Sequence, residues 1–342
     1  MDAKLQELCR QAHEDRIRVG MLDTDTKNRT LELAADALMA HEQEILEANA
    51  IDMERGRERN MPQGLLDRLK LDHDRLLGMA DGLRQVAKLE DPIGEVMSMR
   101  KRPNGLIIGK VRVAIGVVGI IFEARPNVTS DAFGLCFKSG NCAILKGGSD
   151  AIHSNIAIVS AMQEALRRMN IPKGALSLIE STDRETTNAF MKMKDYVDLL
   201  IPRGGRGLIQ SVVNNATIPV IETGTGNCHV YVDQFADQEM AVNIIKNAKT
   251  QRIGVCNACE SIVVHRAIAK EFLPKLYAAL KEYDVEMRGD SYAVECLGPD
   301  QPLVKDATEE DWGTEYLDYI MSVKIVDLSL IHISEPTRHL RI

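Results

Sequence analysis

The first ninety or so residues carry apolar side chains at helical spacing, with charged residues between them. One face of this pattern is formed by residues three and four apart, among them Leu31, Leu33, Ala34, Ala37 and Leu38. The run 60–62, which contains a proline, interrupts the pattern, and a second helical stretch follows over residues 64–88. The sequence therefore predicts a helical block that ends at residues 91–94.

Alternating polar and apolar positions replace the helical period over residues 95–113. Residues 95–102 alternate, Pro103-Asn104-Gly105 favours a turn, and residues 106–113 run back, which is the pattern of a β-hairpin. An exposed strand can pair with a second subunit or stay at an edge. We expect this hairpin to be used in oligomerisation.

Apolar runs of strand length then alternate with helical stretches. The predicted strands are 113–122, 142–146, 176–179, 197–201 and 219–221, and the helices between them include 128–138 and 150–169. This alternation predicts an α/β fold with a parallel sheet and helices on both faces. We therefore place the N-terminal helices and a nucleotide-binding domain at residues 1–225.

A second α/β region is predicted at residues 226–328. Its strands are expected at 230–232, 261–265 and 323–327, and its helices at 238–249 and 266–283. The last residues, 329–342, show no clear period and resemble translated foreign DNA. We expect them to be a non-native tail, and a genuine basic tail is the alternative.

Composition narrows the class of protein. A chain of 342 residues, 45% hydrophobic and 27% charged, is long enough for two domains, and its net charge of −8 argues against a nucleic-acid partner. Seven scattered cysteines do not indicate a disulfide framework. No apolar run approaches the roughly eighteen residues of a membrane span, and the N-terminus does not have the pattern of a signal peptide. We therefore expect a cytoplasmic protein with no membrane partner.

Cys256 is the candidate nucleophile. A thiol attacks a carbonyl group as the thiolate, and nearby cations lower its pKa. Lys249 and Arg252 precede Cys256 on a predicted helix end and loop. Gly254 removes bulk beside the thiol, and Asn257 offers polar groups just after it. A buried, inert cysteine is the alternative, because that is the commoner fate of a single cysteine.

Cys256 and Cys259 also form a C-x-x-C pair. A structural zinc site needs a second pair of ligands at a recognisable spacing, and neither Cys228 with His229 nor the lone Cys296 supplies one. A thioredoxin-like dithiol is the other alternative, but it usually belongs to a much smaller domain. We therefore predict no metal site and place Cys259 in the core.

Polar residues crowd the point where the predicted strand 113–122 ends and a helix begins. They are Glu123, Arg125, Asn127 and Asp131. Ligands of open α/β sheets bind at the carboxyl ends of the strands, and helix N-termini there present free N–H groups to anions. A capped helix start, with Asn127 or Thr129 as the cap, is the structural alternative, and both interpretations can hold together.

Two glycine turns follow the next strands in the same way. The run Lys146-Gly147-Gly148-Ser149 suits a phosphate or a ribose hydroxyl, and the run Arg203-Gly204-Gly205-Arg206-Gly207 favours an anion. Neither run fits G-x-G-x-x-G, so the ordinary dinucleotide fingerprint is absent.

Together these stretches resemble the aldehyde dehydrogenase superfamily over about residues 1–328. The similarity is carried by the runs 122–128, 145–148, 201–205, 247–257 and 311–316. The resemblance implies a Rossmann-type nucleotide-binding domain followed by an α/β catalytic domain. It also implies a nicotinamide cofactor bound without the usual glycine fingerprint.

The resemblance implies roles at the catalytic centre. Cys256 matches the family nucleophile, and Asn127 is the expected oxyanion donor. Arg125 and Arg252 are candidates for binding the phosphate of the substrate, and which of the two does so is open. Glu222 matches the position that activates water in hydrolytic members, and it is left out because release of phosphate needs no such water.

The resemblance also implies the cofactor contacts. Lys146 matches the lysine that meets the adenosine ribose, Ser149 lies where a 2′-phosphate would be received, and Glu315 lies near the ribose-binding acidic position. The remaining expected cofactor residues are the glycines of the two turns, Gly147, Gly148, Gly204 and Gly205.

Within the superfamily, the motifs are most similar to the branch that reduces L-glutamyl 5-phosphate with NADPH in proline biosynthesis. The products there are L-glutamate 5-semialdehyde and phosphate, and the acyl group passes through a cysteine thioester. The resemblance implies a homo-oligomer and glutamate 5-kinase as a partner for substrate transfer. Another oxidoreductase of the superfamily is one alternative. An inactive nucleotide-binding fragment is the other, because the family continues well past residue 326.

Overall fold

The computed structural model describes residues 3–222, 224, 226–298 and 300–327. The chain separates into two compact units, one ending at residue 223 and the other beginning at Gly224. The expected non-native tail at 329–342 lies outside the described residues. No helix among the described residues is long and apolar enough to cross a lipid bilayer.

Five helices precede the first strand of unit 1, which confirms the predicted helical block. They are α1 (Ala3–Gly20), α2 (Thr24–Ala40), α3 (Glu42–Glu58), α4 (Gln63–Leu69) and α5 (His73–Lys88). The side chains of Asp23 and Asp72 cap α2 and α5 by accepting backbone N–H bonds. The apolar faces of these helices bury residues such as Leu31 and Leu38 completely, which is why the helical period was readable.

A hairpin follows, as predicted. Its strands, β1 (Val96–Lys101) and β2 (Ile107–Val111), are antiparallel and form a sheet of their own. The turn is closed by a hydrogen bond of 2.8 Å from the Arg102 N–H to the Leu106 carbonyl. Nearly every side chain of the hairpin is exposed in the single chain. Its use in oligomerisation stays a prediction.

The main sheet of unit 1 is parallel, in the order β5-β4-β3-β6. Its elements run β3 (Val117–Phe122), α6 (Asn127–Lys138), β4 (Cys142–Gly147), α7 (Ile152–Arg168), β5 (Leu176–Leu178), α8 (Arg184–Phe190), β6 (Leu199–Arg203) and α9 (Arg206–Asn215). Every residue of β3 and β4 is buried, so these two strands form the centre of the core. The predicted parallel α/β arrangement is confirmed.

Three predicted strands of unit 1 differ from the structure, and the one expected at 197–201 lies two residues further along as β6 (Leu199–Arg203). β3 begins at Val117 instead of residue 113, because Gly116 adopts a φ of +127° and its N–H binds the side chain of Asn141 instead of a neighbouring strand. Residues 219–221 are not a strand. They make one isolated bridge, Leu200 to Val220, through two backbone hydrogen bonds.

Unit 2 is built on a second parallel sheet, in the order β10-β9-β11-β8-β7. Its elements are β7 (Cys228–Val232), α10 (Gln238–Thr250), β8 (Cys259–His265), α11 (Arg266–Lys281), β9 (Glu286–Gly289), α12 (Ser291–Leu297), β10 (Val304–Asp306) and β11 (Ile320–Val326). The sequence predicted β7, β8, β11 and the two long helices. It did not predict β9, α12 and β10, which are short and carry charged residues.

Candidate active site

The carboxyl edge of the unit 1 sheet opens into a cavity of about 540 Å³. One side of the cavity is lined by residues that end β3 and β4, namely Ile121, Phe122, Glu123, Lys146, Gly147 and Gly148. Its other side is lined by residues of α8 and α9. The strand order places β3 between β4 and β6, so three strand ends meet at this edge. This is where the sequence predicted a nucleotide to bind.

Lys146 is the buried charged residue of the cavity wall, which also includes the exposed Glu123 and Arg184. Its side chain is buried, and its ammonium donates one hydrogen bond of 2.9 Å to the Gly147 carbonyl. Burial lowers the pKa of Lys146, while the negative charge of Asp183 acts in the opposite direction. An ammonium has three donors, so two more can meet the hydroxyls of a ligand in the cavity.

The two glycines after Lys146 have different surroundings. A Cβ added at Gly147 would lie under 3.0 Å from the side-chain nitrogen of Asn155, whereas a Cβ at Gly148 would meet nothing closer than 3.7 Å. Asn155 is completely buried, and its amide oxygen accepts a hydrogen bond of 2.9 Å from the Thr129 hydroxyl. Its amide nitrogen has no hydrogen-bond partner among the described residues. Gly147 is therefore fixed by packing, and Gly148 leaves open backbone beside the cavity.

Ser149 begins a short 3-10 helix, Ser149–Ala151, which leads into α7. Its side chain is exposed, and Ser149 lies outside the described lining of the cavity. The expected contact with a 2′-phosphate stays a prediction.

The turn after β6 binds a carboxylate that belongs to the end of β3. The N–H of Gly205 donates a hydrogen bond of 2.9 Å to the carboxylate of Glu123, at the position where α9 begins. A Cβ at Gly204 would lie 2.6 Å from the same carboxylate oxygen, so Gly204 allows this close approach. The sequence predicted that this turn binds an anion. In the structure the Glu123 carboxylate takes that N–H, and a role of Gly204 and Gly205 toward cofactor stays a prediction.

The turn between β3 and α6 carries Arg125 and Asn127. Ala124 has a φ of +22°, which is rare for a residue with a side chain. Asn127 is the first residue of α6, and its amide nitrogen donates a hydrogen bond of 3.0 Å to Asp131. The suggested side-chain cap was wrong, because neither Asn127 nor Thr129 caps the helix. Arg125 is half-buried and Asn127 is exposed.

Cys256 lies in unit 2, in the turn that joins α10 to β8. It is exposed, whereas Cys259 is buried as the first residue of β8. Burial raises the pKa of the Cys259 thiol to about 12. A Cβ added at Gly226 would lie 2.8 Å from the Cys256 carbonyl oxygen, and the Cys228 thiol donates a hydrogen bond of 3.3 Å to that oxygen. The chain before β7 therefore packs directly against the turn that presents Cys256.

The structure corrects the part that Lys249 was expected to play. Its side chain is completely buried, and its ammonium lies 2.9 Å from the carboxylate of Glu260. Because Glu260 balances this charge inside the core, Lys249 is not the free cation that the sequence suggested for Cys256. Arg252, the second expected cation, is exposed on the turn.

Glu315 lies just beyond a 3-10 helix, Glu309–Gly313, and is half-buried. The segment before it is held by Asp311, whose carboxylate accepts bonds of 2.7 Å from the Thr308 N–H and the Tyr316 hydroxyl and 2.9 Å from Arg288. Burial raises the pKa of Asp311, but these donors outweigh it and hold the pKa well below its usual range.

Sequence reasoning missed the parts that Thr308 and Asp311 play in this network. The T-x-x-D pattern of Thr308 and Asp311 resembles a capping box and could have indicated the helix start. No local signal predicted the pairing of Lys249 with Glu260. Among the described residues, no group of three or more His, Cys, Asp or Glu side chains is arranged to hold a metal ion.

The chain is similar to a known protein family and to several of its members. Residues 2–296 match the aldehyde dehydrogenase family. The gamma-glutamyl phosphate reductase of Agathobacter rectalis is 70% identical over 324 residues, which cover 94% of this chain and 77% of that protein. The protein of the same name from Caldanaerobacter subterraneus is 53% identical over 330 residues, covering 96% of this chain and 79% of the relative.

Solved structures agree. The crystal structure of the gamma-glutamyl phosphate reductase of Thermotoga maritima superposes with a TM-score of 0.82 at 47% identity, covering 94% of this chain and 77% of that one. The chain thus spans about three quarters of the length of these relatives. The expected α/β, aldehyde-dehydrogenase-like fold is confirmed. This chain belongs to the aldehyde dehydrogenase family and, within it, to the gamma-glutamyl phosphate reductases.

Proposed function

We propose that this chain reduces L-glutamyl 5-phosphate to L-glutamate 5-semialdehyde and phosphate, with NADPH as the reductant and Cys256 as the nucleophile. The chain is an oxidoreductase of proline biosynthesis by its family, and the family implies a nicotinamide cofactor. One observation carries the choice of nucleophile. Within the C-x-x-C pair, the Cys256 thiol is exposed on a turn, and the Cys259 thiol is buried with a strongly raised pKa.

The chemistry follows from a thiolate at that turn. The Cys256 sulfur attacks the acyl carbon, and the carbon–oxygen bond to phosphate breaks, which leaves a thioester. Backbone N–H groups of the turn, together with the Asn127 amide, would stabilise the oxyanion. Arg125 and Arg252 are the candidates for the leaving phosphate. The roles of Asn127 and Arg125 rest on the family resemblance.

The position and lining of the unit 1 cavity support a dinucleotide site as part of this proposal. Lys146 offers ammonium donors at its wall, and the open backbone at Gly148 allows a ligand to approach closely. Gly147 and Ser149 complete that turn, and Gly204 and Gly205 lie at the neighbouring strand end. Glu315 would hold the ribose next to the nicotinamide. When bound, the cofactor supplies the hydride that reduces the thioester.

The test compares two cysteine variants in the phosphate-dependent reduction of NADP⁺ by L-glutamate 5-semialdehyde. Cys256→Ser should lower the rate by roughly a thousandfold or more, since the covalent step is lost. Cys259→Ser, three residues away and buried, should keep most of the rate. Equal losses in both variants would refute the choice of nucleophile. Turnover that needs coenzyme A or water in place of phosphate would refute the substrate class.

The same assay should be run on the 342-residue chain and on a chain extended to the length of the relatives. Activity confined to the extended chain would favour the alternative of a nucleotide-binding fragment for the short one. NADPH binding without turnover by the short chain is the direct sign of that alternative.

Partners and location belong to the same proposal. The exposed apolar side chains of β1 and β2 support a homo-oligomer formed through the hairpin. Substrate transfer from glutamate 5-kinase is proposed because acyl phosphates hydrolyse readily in water. A cytoplasmic location agrees with the seven free cysteines.

A further inference from the structure

The turn that presents Cys256 closes on a buried ion pair. Lys249 lies in the last turn of α10 and Glu260 is the second residue of β8, so the pair spans the base of residues 251–258. The ammonium and the carboxylate are 2.9 Å apart, with side chains 0% and 1% exposed. Burying two charges costs free energy that their attraction barely returns, so such a pair is weak evidence for stability alone.

The second oxygen of the same carboxylate has a different partner. It accepts a hydrogen bond of 3.2 Å from the backbone N–H of Leu317. Leu317 has a φ of +54°, a conformation that a leucine rarely adopts without being held. Glu315 lies two residues earlier on the same segment. Burial raises the pKa of Glu260, Lys249 opposes this rise, and the negative charge of Glu315 adds a smaller increase. One buried carboxylate therefore touches both the base of the Cys256 turn and the segment of Glu315.

The segment is also held from its other side. Asp311 ties it to Arg288, and the Asn227 amide donates a hydrogen bond of 3.1 Å to the Trp312 carbonyl. These contacts hold the first half of the segment, residues 308–312, in place. Glu260 acts at the far end, where the chain bends through Leu317 toward β11.

We propose that Glu260 is a positioning residue that sets Glu315 relative to Cys256, and thereby holds the nicotinamide ribose in register with the nucleophile. The inference rests on the proposed function, because it takes Glu315 as the ribose-binding residue. Lys249 has the supporting part of compensating the buried charge.

Two double variants separate positioning from charge burial. Lys249→Met with Glu260→Gln and Lys249→Met with Glu260→Met both remove the ion pair and both buried charges. The glutamine still offers an oxygen to the Leu317 N–H, and the methionine does not. Thermal unfolding of both variants first establishes that each is folded.

Two measurements then follow on each variant. Hydrogen exchange of the Leu317 amide should be faster by at least about tenfold in the methionine variant than in the glutamine variant, since the bond is lost only there. The Kd for NADPH, followed by nicotinamide fluorescence, should rise about tenfold with methionine and change by less than about threefold with glutamine. Equal exchange rates, or equal Kd values, in the two variants would overturn the positioning role.

Glu315→Ala distinguishes this inference from the function on which it rests. If Glu260 acts through Glu315, the methionine variant should add little to the Kd of Glu315→Ala, and additive effects would overturn the inference. An unchanged Kd for Glu315→Ala alone would instead refute the ribose-binding role of Glu315. In that case a difference in exchange at Leu317 would still show that Glu260 holds the segment, and the register with the cofactor would be excluded.

Discussion

Replacing Gly147 by alanine should damage this protein far more than the same change at Gly148, although the two glycines are adjacent. The backbone of Gly147 is ordinary strand at the end of β4, so backbone strain plays no part. The added Cβ would lie under 3.0 Å from the side-chain nitrogen of Asn155, a distance that real Cβ atoms essentially never show. Asn155 is completely buried, so its amide cannot swing into solvent.

The magnitude follows from three effects. Pushing one methyl group into a packed core costs about 1–3 kcal/mol. If the amide moves, it also loses its hydrogen bond with the Thr129 hydroxyl, which is worth about 1 kcal/mol. The lower entropy of the unfolded alanine chain returns about 0.4–1 kcal/mol. Gly147→Ala should therefore lower the free energy of unfolding by about 2 kcal/mol, the middle of these ranges.

Thermal unfolding followed by circular dichroism measures this effect. A loss of about 2 kcal/mol should lower Tm by roughly 4–8 °C in a unit of this size. Gly148→Ala is the matched control, because its nearest contact of 3.7 Å is ordinary packing, and its Tm should stay within about 2 °C of the parent. The double variant Gly147→Ala with Asn155→Ala should lose less than the sum of the two single changes, since the methyl group then enters the space that the amide leaves.

The reasoning would be refuted by equal Tm values for the two glycine variants. Additive losses in the double variant would show that Asn155 is not the atom group that excludes a side chain at Gly147.

Two further predictions concern buried charge and thiol chemistry. The Lys27 ammonium lies 2.8 Å from the Asp91 carboxylate, with side chains 1% and 9% exposed, so Lys27→Met should lower the free energy of unfolding by about 3–5 kcal/mol at pH 7. Burial raises the pKa of Asp91, but its hydrogen bonds, that from Lys27 first, leave the pKa lowered. The stabilisation is therefore present above the usual carboxyl pKa and is lost as the pH falls through the pKa of the folded state. The free energies of unfolding of parent and variant, measured by urea melts, should converge below about pH 4, and a difference that is unchanged at pH 3 would contradict this. Iodoacetamide at pH 8 should label the exposed Cys256 and leave Cys259 unlabelled. The Cys259 pKa of about 12 leaves about one thiolate in ten thousand at that pH. Peptide mapping that finds Cys259 labelled first would contradict its burial.

Local pattern was enough for much of the fold. The helical block, the hairpin and the strands β4, β7 and β8 were predicted because spacing of apolar residues reports which face of an element is buried. β9 and β10 were missed for the converse reason. Each is short, and its strand conformation comes from pairing with neighbours in the sheet, β9 with β11 and β10 with β9.

The sequence by itself determined the longer elements, the candidate thiol at Cys256 and the strand-end turns, because each depends on residues close together in the chain. Only the tertiary structure decided what distinguishes neighbours of the same type. Gly147 faces the Asn155 amide from α7, and a Cβ at Gly148 would make only ordinary van der Waals contacts. Lys249, expected beside the thiol, lies in the core against Glu260. These differences come from side chains that other elements bring into contact, and the spacing of residues along one strand or helix does not predict such contacts.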